Sequence, residues 1–251
     1  MTSVAQAHLD AYEARIAAAR DQFLGRLLPL SDEKDPRVLG LFLVHFCSQG
    51  VGMTEPVPDW IRRAGENTRK RGFEELGKTL EDHAAHEDGH HELMREDTKS
   101  LVGWWNDSYG PTLRADAFLS LPWSGGVQAY RQLHEDYIGG ETPYCQIAIE
   151  YEIEKVSVEY GSKVFGHVIQ VVGPDVLKCL SFITEHVAVD VGHTNYNARA
   201  LEKFLSRAPQ ALDSLVTAGA GALDAYARYL EDCMAMTKKY LDNHHGEKRS
   251  S

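Results

Sequence analysis

Apolar residues recur along this chain with the three- and four-residue spacing of amphipathic helices, whereas the alternating pattern of strands is sparse. The first helix is predicted from Ala5 to Leu28, ending before Pro29, because a proline disfavours helix at the residue that precedes it. Its apolar positions share one stripe and are Leu9, Ile16, Phe23 and Leu27. The pattern predicts an all-α protein.

Prolines, glycines and small polar residues mark where further helices begin and end. Asp59 is a candidate N-cap, and Ser124 precedes a pair of glycines at another predicted helix start. The other predicted helices begin after Pro36 or run from Phe73 to Leu101, Pro143 to Val168, Gly173 to Leu205 and Leu212 to Leu241. We therefore expect a bundle of about seven or eight helices. It forms one domain, residues 1–243, and a disordered polar tail, residues 244–251, follows it.

One predicted helix carries His186, Asp190 and His193 at spacings of four and three residues. At about 100° per residue, these three positions fall within roughly 60° of one another on a helix. The residues between them are apolar, so this face is predicted to point into the core. Buried imidazoles and a carboxylate need a partner, and a metal such as iron, manganese or zinc suits these ligands.

A second stretch repeats the same spacing with His83, Glu87 and His90, of which the last two form a Glu-x-x-His pair. Helical bundles present ligands to paired metals with such pairs. Glu150 lies in a largely apolar predicted helix between the two stretches and offers a bridging carboxylate. The pattern leaves open whether His83 is a ligand, an outer partner of a ligand or part of a pocket wall.

Other polar residues of these stretches have a simpler interpretation, because a helix has only one inward face. We interpret these neighbours as surface residues or as outer partners of the ligands: His86, Asp88, His91 and Glu92. His134, His244 and His245 lie in polar surroundings and are predicted to be solvated at the surface.

The order of these motifs on an all-helical chain resembles the haem-oxygenase-like di-iron oxidases and oxygenases, which are relatives of pyrroloquinoline-quinone synthase and thiaminase II. The resemblance extends from about Phe42 to Leu205 and implies a haem-oxygenase-like helical bundle that binds two ferrous ions and uses dioxygen as co-substrate. The metal ligands that it implies are Glu87, His90, Glu150, His186, Asp190 and His193.

Three additions or alternatives to this ligand set stay open. The segment Val51–Ile61 resembles the family's approach to its second long helix, where Glu55 is a possible extra carboxylate. Many family members separate the first glutamate from its histidine by more than two residues, so Glu81 is an alternative to Glu87. His91 is a further alternative ligand.

The function implied by the resemblance is the oxidation of a small metabolite, an amino acid or a carboxylic acid, in specialised metabolism. N-oxygenation, desaturation or C–C cleavage are the expected reaction types, with electrons from an external donor. Two alternatives are kept: a metal-free enzyme of the same fold, similar to thiaminase II or to the quinone-cofactor synthase, and a metal-binding helical protein without catalysis.

Composition and charge narrow the range of partners. The chain has 251 residues, a formal net charge of −11 and scattered basic residues, which argues against nucleic-acid and anionic-membrane surfaces and leaves small molecules as partners. It has no run of eighteen apolar residues and no apolar leader, so we expect a cytoplasmic protein. Its four cysteines lack Cys-x-x-Cys spacing and are expected to be reduced thiols. A monomer and a homodimer both stay open.

Overall fold

The amphipathic segments form eleven α-helices within residues 4–110 and 113–245, which are the residues that this computed structural model describes. The side chains of residues 4–6, 186–191 and 245 lie outside that description. The helices are α1 (Val4–Ser31), α2 (Pro36–Thr54), α3 (Val57–Lys70), α4 (Glu74–Ala84), α5 (His90–Tyr109), α6 (Ala115–Leu119), α7 (Gly125–Gly139), α8 (Gln146–Val156), α9 (Ser162–Val172), α10 (Ser181–Arg207) and α11 (Leu212–His245).

Short irregular helices connect some of these elements. A π-helical turn, Ser157–Gly161, joins α8 to α9 without an interruption of the helix. Single 3₁₀ segments precede α8, α10 and α11 at Pro143–Cys145, Pro174–Cys179 and Pro209–Ala211. The described ranges contain no β-strand, which confirms the predicted all-α class.

The number of helices exceeds the prediction because one predicted helix is divided at a glycine, another is divided by the π-helical turn, and the short α6 was not predicted. The helix predicted from Phe73 to Leu101 is wrong: α4 ends at Ala84, and α5 begins only at His90. Gly89 has a φ of +90°, a left-handed conformation that glycine adopts without steric cost. The chain therefore leaves the helix between the two elements and starts again in a new direction.

Several other predicted boundaries also differ from the structure, and three of them have a clear location or cause. Helix α1 continues through Pro29 to Ser31, because a proline in the last turn removes only one helical hydrogen bond and Leu30 is buried in the core. Helix α3 begins at Val57, and Asp59 forms ion pairs with arginines of its own helix. Helix α11 extends through His245, so the predicted tail loses its first two residues to the helix, and residues 246–251 lie outside the described part.

The core is centred on α2, which is buried along almost its whole length from Leu39 to Met53. A helix that is apolar on all sides belongs in the interior, and α2 contacts α5, α7, α9 and α11. Helix α8 is the second central element and packs between α10 and α11. Every helix of the described ranges is too short or too polar to cross a membrane.

The crossing of α7 and α11 depends on Gly126. A Cβ atom at this position would lie 2.2 Å from the backbone nitrogen of Tyr229, which cannot move away as a flexible side chain could. We expect Gly126→Ala to lower the free energy of unfolding by about 1–3 kcal/mol, measured by urea denaturation.

The neighbouring Gly125 is the matched control, because its nearest contact to an added Cβ is an ordinary 3.6 Å. Gly125→Ala should therefore leave the stability almost unchanged. Equal effects of the two substitutions would contradict the close packing of α7 on α11.

Candidate metal centre

Four side chains from different parts of the chain converge beside α8. His83 lies near the end of α4, Glu87 in the break before α5, Glu154 on α8 and His193 on α10. Each can offer one ligand atom, and these atoms all lie within 4.8 Å of one another. Imidazole nitrogens and carboxylate oxygens at such separations form a candidate metal centre.

The break between α4 and α5 places Glu87 in this cluster. A turn after His83 is closed by hydrogen bonds from the His86 and Glu87 amides to the preceding carbonyls, and Gly89 then starts the new helix. Glu87 is folded back between two imidazoles: one carboxylate oxygen lies 3.3 Å from His83 Nε2 and the other 2.9 Å from His90 Nδ1. The three residues thus come together, although they do not share one continuous helix.

Asn197 holds two members of the cluster in place. It lies one turn after His193 on α10, is fully buried, and its Nδ2 donates a 2.7 Å hydrogen bond to Glu154 Oε2. Its Oδ1 lies 3.2 Å from His83 Nδ1 and accepts a hydrogen bond when that nitrogen carries the proton. This arrangement turns His83 Nε2 toward Glu87 and Glu154.

Two buried ligand atoms are unsatisfied among the described residues. His193 Nδ1 and Glu154 Oε1 form no well-aligned hydrogen bond, although His83 Nε2 lies 3.2 Å from the glutamate oxygen. His193 Nδ1 is 3.5 Å from Glu87 Oε1 and 3.7 Å from Glu154 Oε1, which is too far for a good hydrogen bond. Buried polar atoms without partners are costly, and a cation between them would satisfy both. The donor set therefore fits a metal ion.

Glu150 adds a third buried carboxylate one turn before Glu154. Its Oε1 accepts a 2.5 Å hydrogen bond from Gln146 Nε2. Burial raises the pKa of Glu150 to about 8, and the negative charges of Glu154 and Glu87 act in the same direction, against the opposite effect of His83. Burial also raises the pKa of Glu154. These carboxylates would be stabilised by additional positive charge.

His83 and Glu87 respond to the same surplus of negative charge. Burial by itself lowers the pKa of His83, but the close carboxylates of Glu154 and Glu87 outweigh it and raise the pKa to about 11. Burial raises the pKa of Glu87, but hydrogen bonds from His83 and His90 reverse the effect and hold that pKa well below its usual range. The cluster thus attracts cations.

The predicted ligands can now be placed individually. Glu87 and His193 belong to the cluster, His90 contacts it through Glu87, and Glu150 lies beside it. His186 and Asp190 lie on α10, but their side chains are outside the described residues, so their part in the site stays a prediction.

Of the alternative ligands that the sequence left open, one lies in the cluster and three do not. His83 is a member of the cluster. The other three contact residues outside it: Glu55 and Glu81 form ion pairs with Arg95 and Arg69, and the His91 ring lies 3.1 Å from Glu92.

Sequence reasoning missed Glu154 and Asn197, although both had a signal. Glu154 follows Glu150 by one helical turn on the same face of α8. Asn197 continues the series of His186, Asp190 and His193 with another spacing of four. A polar stripe that continues along a buried face would have indicated both residues.

The surface position predicted for His134 is wrong. The residue is fully buried on the face of α7 that also carries the buried Tyr130 and Ile138, and its ring stacks on Trp60 at 4.1 Å. Burial lowers the pKa of His134 to about 3, so the ring is neutral. Its Nδ1 is hydrogen-bonded to the amide group of Gln146 and so connects α7 to the side chain that holds Glu150.

A cavity of about 110 Å³ lies against the three carboxylates. Thr54 and Ser157 are polar members of its lining, and the other walls are apolar or aromatic and include Met53, Met94, Tyr130, Ile153, Phe182, Tyr226 and Tyr229. Buried cavities with apolar walls and a few converging polar groups are typical of small-molecule sites.

Comparison with solved structures identifies the architecture. The chain is similar to a domain of unknown function with a heme oxygenase-like fold from Shewanella denitrificans OS217, with a TM-score of 0.71 and 17% sequence identity over 93% of this chain and 94% of that domain. The chain has a haem-oxygenase-like fold. No protein-family model and no curated protein matches the sequence. The predicted fold is confirmed, and at this identity the similarity concerns the fold alone.

Within this haem-oxygenase-like fold, Asn197 is expected to set metal affinity without binding the metal. Asn197→Ala removes the hydrogen bonds that orient Glu154 and His83, and outer partners of metal ligands typically contribute 10- to 100-fold to affinity. Anaerobic ferrous titration by calorimetry should therefore show an affinity lowered about 10- to 100-fold. The exposed Asn195→Ala is the control on the same helix, and equal affinities of the two variants would exclude the positioning role.

Proposed function

We propose that this chain is a non-haem di-iron enzyme that uses dioxygen to oxidise a small metabolite. One observation carries the proposal: two buried donor atoms, Glu154 Oε1 and His193 Nδ1, lack hydrogen-bond partners among the described residues and lie within a cluster of four potential ligands. Nitrogen and carboxylate donors of this kind suit iron, whereas structural zinc sites favour cysteine thiolates.

The ligands would divide between two metal ions. Those grouped within 4.8 Å are His83, Glu87, Glu154 and His193. Glu150 and His90 adjoin this group, and His186 and Asp190 are the further ligands that we propose from their spacing. Bound ferrous iron supplies electrons for the reduction of dioxygen, and an external donor would restore them.

The residues around the centre have distinct tasks in this proposal. Gln146 orients Glu150 through the hydrogen bond to its Oε1, and His134 in turn fixes the amide group of Gln146. Tyr130, Tyr226 and Tyr229 form aromatic walls that would hold the substrate against the carboxylates and exclude bulk water.

The cavity also bears on the choice of substrate. Its described lining contains no lysine or arginine, so shape and apolar surface would select the substrate more than a charge on the wall. An amino acid or carboxylic acid remains the proposed class, with N-oxygenation, desaturation or C–C cleavage as the reaction.

A metal-binding protein without catalysis is the second candidate, because the ligand cluster alone fits both functions. The cavity beside the carboxylates favours the enzyme, since a storage or binding role needs no space for an organic molecule.

Dioxygen consumption tests the proposal. Protein loaded with ferrous iron is mixed with dioxygen in the presence of a panel of amino acids and carboxylic acids, and zinc-loaded protein serves as the control because zinc has no redox chemistry. The proposal expects an organic product with iron only. Iron oxidation without any product would favour the binding protein, and product formation by chelator-treated protein would favour the metal-free enzyme.

A further inference from the structure

Three cavities follow one another from the surface toward the candidate metal centre. A surface groove of about 310 Å³ lies between α1 and α11, and an inner cavity of about 60 Å³ lies beneath it. The residues that line both of these are Leu27, Leu30 and Leu230. The residues that line both the inner cavity and the cavity beside the carboxylates are Ser157, Phe182 and Tyr226. Only a layer of side chains therefore separates each cavity from the next.

The inner cavity is narrow and largely apolar. Aliphatic and aromatic side chains form most of its walls, and those that the structure describes include hydroxyl groups but no charged group. Apolar cavities stay dry, and an engineered cavity of about 150 Å³ holds benzene or xenon. A volume of about 60 Å³ is well below that, yet larger than the space of a single water molecule. The inner cavity thus suits a small apolar gas molecule better than an organic substrate.

The π-helical turn between α8 and α9 forms one wall of the inner cavity. Ser157 is its first residue and Gly161 its last, and both line the cavity with little or no side chain. Such turns are frequent at functional sites. Gly161 has a helical φ of −54°, so its backbone does not require glycine, and an added Cβ would lie an ordinary 3.8 Å from the carbonyl oxygen of Val156. Glycine at this position therefore keeps space open.

We propose that the three cavities form the route by which dioxygen reaches the metal centre from the surface. This inference rests on the proposed function and adds a path for its co-substrate. Dioxygen is small and apolar, so it enters a dry apolar cavity, whereas charged solutes stay in the outer groove. Rotamer changes of the three shared leucines open the outer passage, and those of Phe182 open the inner one.

Xenon tests the inner cavity without any metal, because it occupies small apolar cavities. Crystals of the metal-free, full-length protein are pressurised with xenon, and we expect a xenon atom in the 60 Å³ cavity of the wild type. Gly161→Leu should abolish this xenon site by filling the space. Gly166→Leu is the matched control and should retain the site, because Gly166 is exposed on α9 and lines none of the three cavities.

Stopped-flow mixing of ferrous-loaded protein with dioxygen tests the route itself. Gly161→Leu should lower the second-order rate constant of iron oxidation by about 5- to 100-fold, because a packed side chain must now be displaced. Gly166→Leu should react at the wild-type rate. Val164→Phe fills the same cavity from α9 and serves as the second filled variant if Gly161→Leu does not fold. Anaerobic titration should give the same ferrous affinity for all these proteins.

The outcomes separate this route from the proposed function. Absence of xenon from the wild-type cavity, or a wild-type oxidation rate in a folded filled variant, would overturn the route. A filled variant that changes which carboxylic acids are oxidised, at an unchanged rate with dioxygen, would assign the cavity to the substrate and would also overturn it. Normal iron uptake in these experiments leaves the proposed function standing, whereas wild-type protein that binds no ferrous iron would overturn both.

Discussion

Replacing Glu154 with glutamine is expected to lower the affinity for ferrous iron by about 100-fold or more, because losing a ligand should cost at least as much as losing one of its outer partners. Glutamine preserves the shape of the side chain but removes the negative charge. The carboxylate oxygen Oε1 is the buried atom that lies among His83, Glu87 and His193 without a hydrogen bond. Anaerobic titration with ferrous iron measures the loss directly.

Glu159→Gln is the matched control for this experiment. Glu159 follows Glu154 on the same continuous helical segment, is exposed, and pairs with Lys155 at the surface. The Glu159→Gln substitution should leave iron binding unchanged. Full retention of iron by Glu154→Gln would show that Glu154 is not a metal ligand.

Replacing Glu152 with alanine should lower the free energy of unfolding by about 2–4 kcal/mol, because it removes three buried hydrogen bonds to a charged group, although Arg20 keeps its second partner, Glu13. The Glu152 side chain is fully buried and binds Arg20 through two hydrogen bonds of 2.8 and 2.7 Å. Tyr12 donates a third hydrogen bond to it at 3.0 Å. For a chain of this size, thermal unfolding should begin about 10 °C lower.

Glu231→Ala tests whether burial is the reason for the large loss of stability that we expect in Glu152→Ala. Glu231 also binds an arginine of α1 through two hydrogen bonds, from Arg26, but the pair is exposed. Exposed ion pairs contribute about 0–1 kcal/mol, so this variant should be almost as stable as the wild type. Equal losses for the two glutamates would show that burial does not determine the effect.

The three glutamates of α8 show how far sequence periodicity reaches. Glu150, Glu152 and Glu154 lie close together, and the helical repeat places the first and last on one face and the middle one on the opposite face. Periodicity therefore separates the glutamates of the candidate metal centre, Glu150 and Glu154, from Glu152, which binds Arg20. It does not say which face meets the ligands, because that depends on where α4, α5 and α10 pack.

The structure brings His83, Glu87 and His90 together, but not on the single helix that their spacing predicts. The chain breaks between α4 and α5, and a turn brings the three residues together. The glycine of this turn was visible in the sequence, but its left-handed conformation was not. The three side chains still meet because the turn is short and folds Glu87 back between the two imidazoles.

His134 shows the opposite limit. Its polar neighbours indicated a surface residue, but the packing of α7 against its neighbours decides which face of the helix is covered. Stacking on Trp60 and the hydrogen bond to Gln146 both involve residues distant in sequence. Local composition carries no information about such contacts.

Counting bound iron tests the central claim most directly. Metal-free protein is titrated with ferrous iron without oxygen, and bound metal is measured per chain together with the folded state. We expect about two bound irons per wild-type chain, held by the proposed ligands. Glu154→Gln should bind far less iron. A folded protein that binds no iron would contradict the metal centre and favour a metal-free enzyme of the same fold.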